Sequence, residues 1–195
     1  MAAADPTAII ASEPPTVPGW AVPRGLVTSD AEAAFLAGSA LNSLDNLVRS
    51  APAWAGSWRQ RLALKCAVTA AALAGRTETE AQLRDAWQLR APGADPGPAG
   101  NLLGAWKSLA ERSPNISPDR LRWAVDRLGL RWSDNLACVG EQFDDLARSG
   151  RPAPLAAAAI ASEVHRLRPD TGLLGWWVAD LAIAARMRWP AAVPL

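Results

Sequence analysis

The sequence predicts an all-α domain, a compact bundle or array of about seven to eight helices that follows a proline-rich N-terminal arm. The 195 residues include 42 alanines and only 22 valines, isoleucines and threonines together. Alanine is the best helix former, whereas β-branched residues favour strands. Beyond Ser29, apolar residues recur at helical spacing between capping residues and breaks rich in proline and glycine.

The N-terminal arm differs in composition from the rest of the chain. It holds five prolines, which exclude regular helix: Pro6, Pro14, Pro15, Pro18 and Pro23. We expect residues 1–27 to form a disordered arm, residues 28–190 a single all-helical domain and residues 191–195 a tail. The alternative is a strap that docks Trp20 and Val22 onto the helical body.

The first two helices are marked by a cap and by a terminating glycine. Ser29 with Glu32 resembles a capping box and predicts a helix from Asp30 to about Arg49. The second helix carries apolar residues at helical spacing and is expected to end before Gly75, because glycine favours the position after a helix C-terminus.

A loop separates the third helix from the fourth. Thr77 with Glu80 predicts the start of helix three. Residues 91–98 are the segment of the predicted domain that is richest in proline and glycine, and they must form a loop. Helix four follows this loop.

The second half of the chain predicts four more helices. Ser117 precedes a proline and begins helix five, which Gly129 ends. Ser133 is expected to cap helix six. Helices seven and eight are expected over about residues 154–167 and 171–188, since prolines follow both.

The chain holds ten tryptophans and no tyrosine. Four lie on apolar stripes and are expected to fill the core between small alanines: Trp58, Trp87, Trp106 and Trp177. The alternative is an aromatic platform for bases or a ring ligand, with Trp132 and Trp189 exposed beside arginines. Trp176 and Trp177 are adjacent, so their rings point about 100° apart and one of them faces a second surface.

Nucleic acid is disfavoured as a partner. The net charge is only +1. Residues 117–147 have the length of a helix-turn-helix, but residues 133–147 carry four acidic residues and no basic one, which opposes phosphate binding. We expect these acidic residues to pair with arginines of the preceding helix.

No catalytic or metal-binding constellation is predicted. His165 is the only histidine and lies near a helix C-terminus, where its charge is favourable. Cys66 and Cys138 are interpreted as small core residues. Phosphate-loop, dinucleotide and metal-ligand motifs are not found, so no cofactor is expected. The sequence has no run long enough for a membrane span and no secretory signal, and its two cysteines indicate a reducing compartment. We therefore expect a cytoplasmic protein.

The segment from residue 83 to residue 100 is the most distinctive part of the chain. Its possible ligand-binding residues are Arg84, Asp85, Arg90, Asp95, Gly97 and Gly100. In a structural interpretation Asp95 caps helix four or braces the turn, and Arg84 with Asp85 ties helix three to a neighbouring helix. In a ligand interpretation the start of helix four binds an anion between the arginines.

The same segment carries a family resemblance. LRDAWQLRAPGADPGPAG, followed by LLGAW, resembles a bacterial family of uncharacterised proteins, the domain-of-unknown-function family numbered 1403. The upstream AEAAFLAGSALNSLDNLVR and the closing WWVADLAIAARMRWP extend the likeness over about residues 30–190. The resemblance implies no activity and no catalytic residues. Ala94 stands where the family pattern leads us to expect an acidic residue, which disfavours a metal site of two carboxylates.

Three classes of function remain open at this point. The leading hypothesis is a non-enzymatic helical interaction module that binds a protein partner or itself. One alternative is a small-ligand binder or enzyme centred on residues 84–100. The other is a nucleic-acid accessory protein.

Overall fold

The computed structural model describes residues 16–195 and confirms the all-α prediction. Of these residues 68% are helical, in eight α-helices and two short 3-10 helices, and none is in a strand. The α-helices are α1 (Asp30–Ser50), α2 (Ala55–Leu73), α3 (Glu80–Gln88), α4 (Gly97–Glu111), α5 (Pro118–Arg127), α6 (Val139–Arg148), α7 (Ala153–Leu167) and α8 (Gly172–Met187). The 3-10 helices are Gly19–Ala21 and Asp134–Cys138. Within the described range, no helix is both long and apolar enough to cross a membrane.

The chain divides into two compact units, Met1–Ala51 and Pro52–Leu195. In the first unit, residues 16–27 of the predicted arm contact α1. The rings of Trp20 and Phe35 lie 5.8 Å apart, and the Ser43 hydroxyl donates to the carbonyl of Thr16. Trp20 itself is 70% exposed. The first 15 residues, with three of the arm's five prolines, lie outside the described residues, and the division into arm, domain and tail stays a prediction.

The sequence predicted six helix boundaries from a capping residue or a terminating glycine, and four of them agree with the structure. Ser29 accepts a hydrogen bond from the Glu32 amide, and Ser117 caps α5 in the same way. Gly75 and Gly129 follow α2 and α5 with φ of 72° and 71°. Both glycines lie in the left-handed region, where a side chain is strained, and so end their helices.

The other two predicted helix starts are wrong. Helix α3 begins two residues later than expected, because Thr79 and Gln82 form the capping box instead of Thr77 and Glu80. Ser133 precedes a 3-10 helix rather than an α-helix, and its side chain makes no capping bond. Helix α6 starts only at Val139.

The core of the second unit is built around α4 and α8. Helix α4 packs against α2, α3, α5 and α8, and α8 packs against α6 and α7. The five buried residues of α2 are all alanines, so this helix can lie close to its neighbours. Large side chains then fill the space between the helices, and Trp177 and Leu109 are fully buried there.

The tryptophans are divided between core and surface. Trp106 and Trp177 are core residues, as predicted, but Trp58 and Trp87 are only half-buried, so the core assignment is wrong for these two. Trp176 is 49% exposed beside the buried Trp177, which confirms that one of this pair faces a second surface.

The last residues of the chain belong to the second unit and pack against its helices α4 and α8. Arg188 ends α8 in the left-handed conformation, and Trp189 is then buried, which contradicts the alternative of an exposed aromatic platform at this residue. The Ala192 amide donates to the carbonyl of Leu109, and the Leu195 amide donates to the Asp180 carboxyl. Burial raises the pKa of that carboxyl well above its ordinary value.

Candidate functional site

A cleft between α2, α3 and α4 combines positive charge with an aromatic ring. We call it the basic cleft, and its volume is about 160 Å³. Its lining residues are Gln60, Arg61, Leu64, Arg84, Trp87, Gln88, Leu103 and Lys107. Each of the three helices contributes one cation, so the cleft exists only because the helices pack together.

Trp87 is held in the cleft by close packing of α3 on α4. A Cβ atom added at Gly104 would lie only 2.7 Å from the Cζ3 atom of this ring, so α4 needs glycine at that position. The guanidinium of Arg90 lies 3.9 Å from the ring centroid, and the ammonium of Lys107 lies 5.9 Å from it. Both are within the range of a cation–π interaction.

Positive charge exceeds negative charge around the cleft. Arg84 pairs with Asp85 at 3.1 Å, and Lys107 pairs with Glu111 at 3.5 Å. Arg61 makes no ion pair within residues 16–195. Helix α2 carries three basic residues, Arg59, Arg61 and Lys65, and no acidic one. The cleft therefore offers at least one cation without a carboxylate partner.

The structure brings three of the predicted ligand residues to this cleft. Arg84 lines it, Asp85 pairs with Arg84, and Arg90 stacks on Trp87. The expectation that Arg84 and Asp85 tie α3 to a neighbouring helix is wrong. The two residues are adjacent in α3 and pair with each other, and both side chains are about half exposed.

The other three predicted ligand residues lie together at the start of α4. Asp95 accepts hydrogen bonds from the Gly97 amide at 3.0 Å and from the Asn101 side chain at 3.3 Å. Because Pro96 is the N-cap residue, Asp95 braces the turn one residue before the cap. A Cβ atom at Gly100 would lie 2.4 Å from the Cβ of Pro96, so the turn and the helix are in close contact.

The hydrogen bond from the Gly97 amide to Asp95 predicts a measurable loss of stability when Asp95 is replaced. We expect Asp95→Ala to lower the free energy of unfolding by about 0.5–2 kcal/mol, because the Gly97 amide loses its acceptor. Urea denaturation followed by circular dichroism measures the change. Asp119→Ala, at an exposed position in the first turn of α5, is a control for removing a carboxylate near a helix start. Equal stability of Asp95→Ala and the wild type would contradict the bracing role.

A second cavity borders the first turn of α4, and we call it the α4 cavity. Its volume is about 450 Å³, and Arg76, Asn101, Asp126 and Arg127 supply its polar lining. Arg127 donates to the Asn101 side chain, and Arg76 pairs with Glu78. Sequence reasoning missed both arginines. They lie near the ends of α2 and α5, and only the predicted turns at Gly75 and Gly129 could have indicated that these ends meet.

The cysteines are free and only half-buried, so the interpretation of both as core residues is wrong. Burial, with the nearby Asp180 carboxylate, raises the pKa of Cys66 to about 11, so its thiol is protonated at neutral pH. The Cys138 thiol donates to the carbonyl of Asn135. Within the described part of the chain, no group of three or more histidine, cysteine, aspartate or glutamate residues is placed to hold a metal ion.

The expected pairing between α5 and α6 is wrong. Across residues 16–195 no ion pair joins an arginine of α5 to an acidic residue of α6. Arg122 instead lies 4.7 Å from the Trp132 ring centroid, and Asp145 pairs with Arg148 of its own helix. The 3-10 helix lies between the two α-helices in the chain, and α5 is not among the helices that pack closely on α6.

Comparison with known proteins identifies a family without an assigned activity. The family model described as protein of unknown function (DUF1403) matches residues 7–195. No curated protein and no solved structure matches the chain.

Proposed function

We propose that this chain, which belongs to the DUF1403 family of proteins of unknown function, is a helical interaction module whose basic cleft binds an acidic segment of a protein partner. The observation that carries the proposal is the arrangement of Arg61, Arg84 and Lys107 around the half-buried ring of Trp87. Surfaces that combine arginine with an aromatic residue are enriched in protein interfaces.

The charges of the cleft suit a carboxylate-bearing partner. Arg61 is exposed and makes no ion pair among the described residues, so its guanidinium can bind a carboxylate through two parallel hydrogen bonds. Asp85 and Glu111 are about half exposed, and ion pairs of that kind contribute only about 0–1 kcal/mol. Arg84 can therefore exchange Asp85 for a carboxylate of an incoming chain at small cost, whereas Lys107 is held more firmly, because it is only 18% exposed and also donates to Gln60.

The size of the cleft favours a protein segment over an enclosed small molecule. Sites that bury a drug-sized ligand have volumes of about 300–1,000 Å³, and the basic cleft has only about 160 Å³. A shallow depression of this size accommodates one or two side chains. The remaining contacts of a partner would lie on the flanking helices.

The test is direct binding of an acidic peptide to the full chain. We expect a fluorescent oligoglutamate peptide to bind in about 20 mM salt and to dissociate in about 300 mM salt, because salt screens exposed charges. Arg61→Glu with Lys107→Glu should weaken binding by about tenfold or more. Fluorescence anisotropy measures both effects.

The matched control reverses two exposed arginines outside the basic cleft and outside α6, Arg24→Glu with Arg151→Glu, and gives the same change in net charge. Binding by this control should stay close to that of the wild type. If the two double variants lose affinity equally, the peptide responds only to net charge, and the assignment to the basic cleft fails.

A second function is favoured by the α4 cavity. Its volume of about 450 Å³ suits a small ligand, and the two arginines of its lining, Arg76 and Arg127, outnumber its one carboxylate, Asp126, and so favour an anion. If it is a small-anion site, millimolar phosphate raises the melting temperature of the wild type, and Arg127→Met removes that rise. Asp95→Asn, which removes a neighbouring carboxylate charge, should enlarge it. An unchanged melting temperature in phosphate would contradict this second function.

A further inference from the structure

We infer that the acidic segment is helix α6 of a second copy of this chain. The inference rests on the proposed function, since it names the partner of the basic cleft. It is carried by two complementary charged faces of the second unit.

The acidic face lies on α6. Glu141, Asp144 and Asp145 are exposed and stand at positions i, i+3 and i+4, so they share one side of the helix. The other side of α6 buries Val139 and Phe143. Arg148, one turn further, pairs with Asp145 and is the single basic residue of this helix. The exposed side therefore carries an excess of negative charge.

The basic face lies on α2 and borders the cleft. Arg61 and Lys65 are exposed, and they are one helical turn apart. Neither makes an ion pair within the described residues. The acidic face and the basic face are each one to two helical turns long, about 6–10 Å. When α6 of one copy lies along α2 of another, Glu141 and Asp144 can therefore reach Arg61 and Lys65.

The two faces belong to different parts of the second unit. Helix α2 packs with α3 and α4, whereas α6 packs with α7 and α8. Across residues 52–195, no ion pair joins α2 to α6. Each copy therefore presents both an acidic and a basic face, and a second copy can satisfy either of them.

This arrangement sets the form of the assembly. A dimer held by a single contact of α6 with α2 still has a free basic face and a free acidic face, so association can continue beyond it. A twofold dimer in which both contacts form fills all four faces, and association stops there. The contact is mainly between exposed charges and should weaken as salt screens them.

Sedimentation velocity of the full chain tests this assembly. In about 20 mM salt the mean mass should rise with protein concentration above that of a monomer, and in about 300 mM salt the chain should be a monomer. Glu141→Arg with Asp144→Arg should abolish association, and so should Arg61→Glu with Lys65→Glu. An equimolar mixture of these two variants should associate again, because the native basic face of one variant meets the native acidic face of the other and the two reversed faces are also complementary.

The control is Asp30→Arg with Asp119→Arg, which makes the same change in net charge at exposed positions in other helices. This variant should associate like the wild type. Circular dichroism tests whether each variant is folded. A double variant that is unfolded is replaced by its two single substitutions, for which the same change in association is predicted.

The outcomes separate this inference from the proposed function. The α6 variant retains the basic cleft and should still bind oligoglutamate. If the wild type binds oligoglutamate but remains a monomer in low salt, the second copy is not the partner and the basic cleft serves another protein. If the mixture of reversed variants does not associate, the pairing of α6 with α2 is likewise overturned. If oligoglutamate does not bind at all, the proposed function fails together with the inference.

Discussion

Replacing Trp177 with alanine should lower the free energy of unfolding by about 3–5 kcal/mol, the range found when a large aromatic residue is removed from a core. The side chain is fully buried between α8 and α4, and its indole N–H donates to the carbonyl of Ala105 at 2.9 Å. The substitution leaves a cavity and removes one donor from the Ala105 carbonyl, which still accepts from the Ser108 hydroxyl at 2.7 Å, so the cavity accounts for most of the cost.

The neighbouring tryptophan provides the control. Trp176 is 49% exposed, so Trp176→Ala should change the free energy of unfolding by less than about 1 kcal/mol. Urea denaturation of both variants gives the comparison. If the two substitutions cost the same, Trp177 does not hold α8 against α4, and the packing described for the second unit is wrong.

Replacing Arg120 with methionine should lower the free energy of unfolding by about 3 kcal/mol, because three carbonyls, one of them buried, lose a charged donor at once. The guanidinium donates to the carbonyls of Ser113 at 2.5 Å, Asn115 at 2.7 Å and Ser108 at 3.4 Å. Burial lowers the pKa of Arg120 to about 10. Since no carboxylate pairs with it among the described residues, these carbonyls stabilise the charge and hold the loop between α4 and α5.

Arg122→Met controls for the loss of a positive charge on the same helix, because Arg122 is exposed. Its effect should be within about 0.5 kcal/mol, the range for surface substitutions. Hydrogen exchange adds a local measurement, in which the loop from Ser113 to Ser117 should lose protection in Arg120→Met alone. Full stability of this variant would show that the carbonyls find other donors and that Arg120 does not organise the loop.

Local sequence signals predicted most of the helices but not every boundary. The start of α1 at Ser29 and the glycine turns after α2 and α5 depend on residues within one turn of each other. The start of α3 was ambiguous, since Thr77 and Thr79 are each followed three residues later by a glutamate or glutamine. Only the packed structure decides between two such capping boxes.

The site needed tertiary contacts that the sequence does not reveal. Arg84 was identified as a possible ligand residue, but Arg61 and Lys107 join it only because Trp87 packs against Gly104 and brings α2, α3 and α4 together. In the alternative of an aromatic platform, Trp189 was a candidate for an exposed ring because an arginine precedes it. The left-handed turn at Arg188 instead directs it into the core.

The binding role of the basic cleft is tested most directly by the indole N–H resonances of the ten tryptophans during titration with oligoglutamate. Single tryptophan-to-phenylalanine variants assign these resonances. The account predicts that the Trp87 resonance shifts in a saturable manner in low salt, while those of Trp123 and Trp132, which also lie near arginines, stay in place. Saturable shifts at Trp123 or Trp132 with an unchanged Trp87 would place the acidic segment elsewhere and contradict the account.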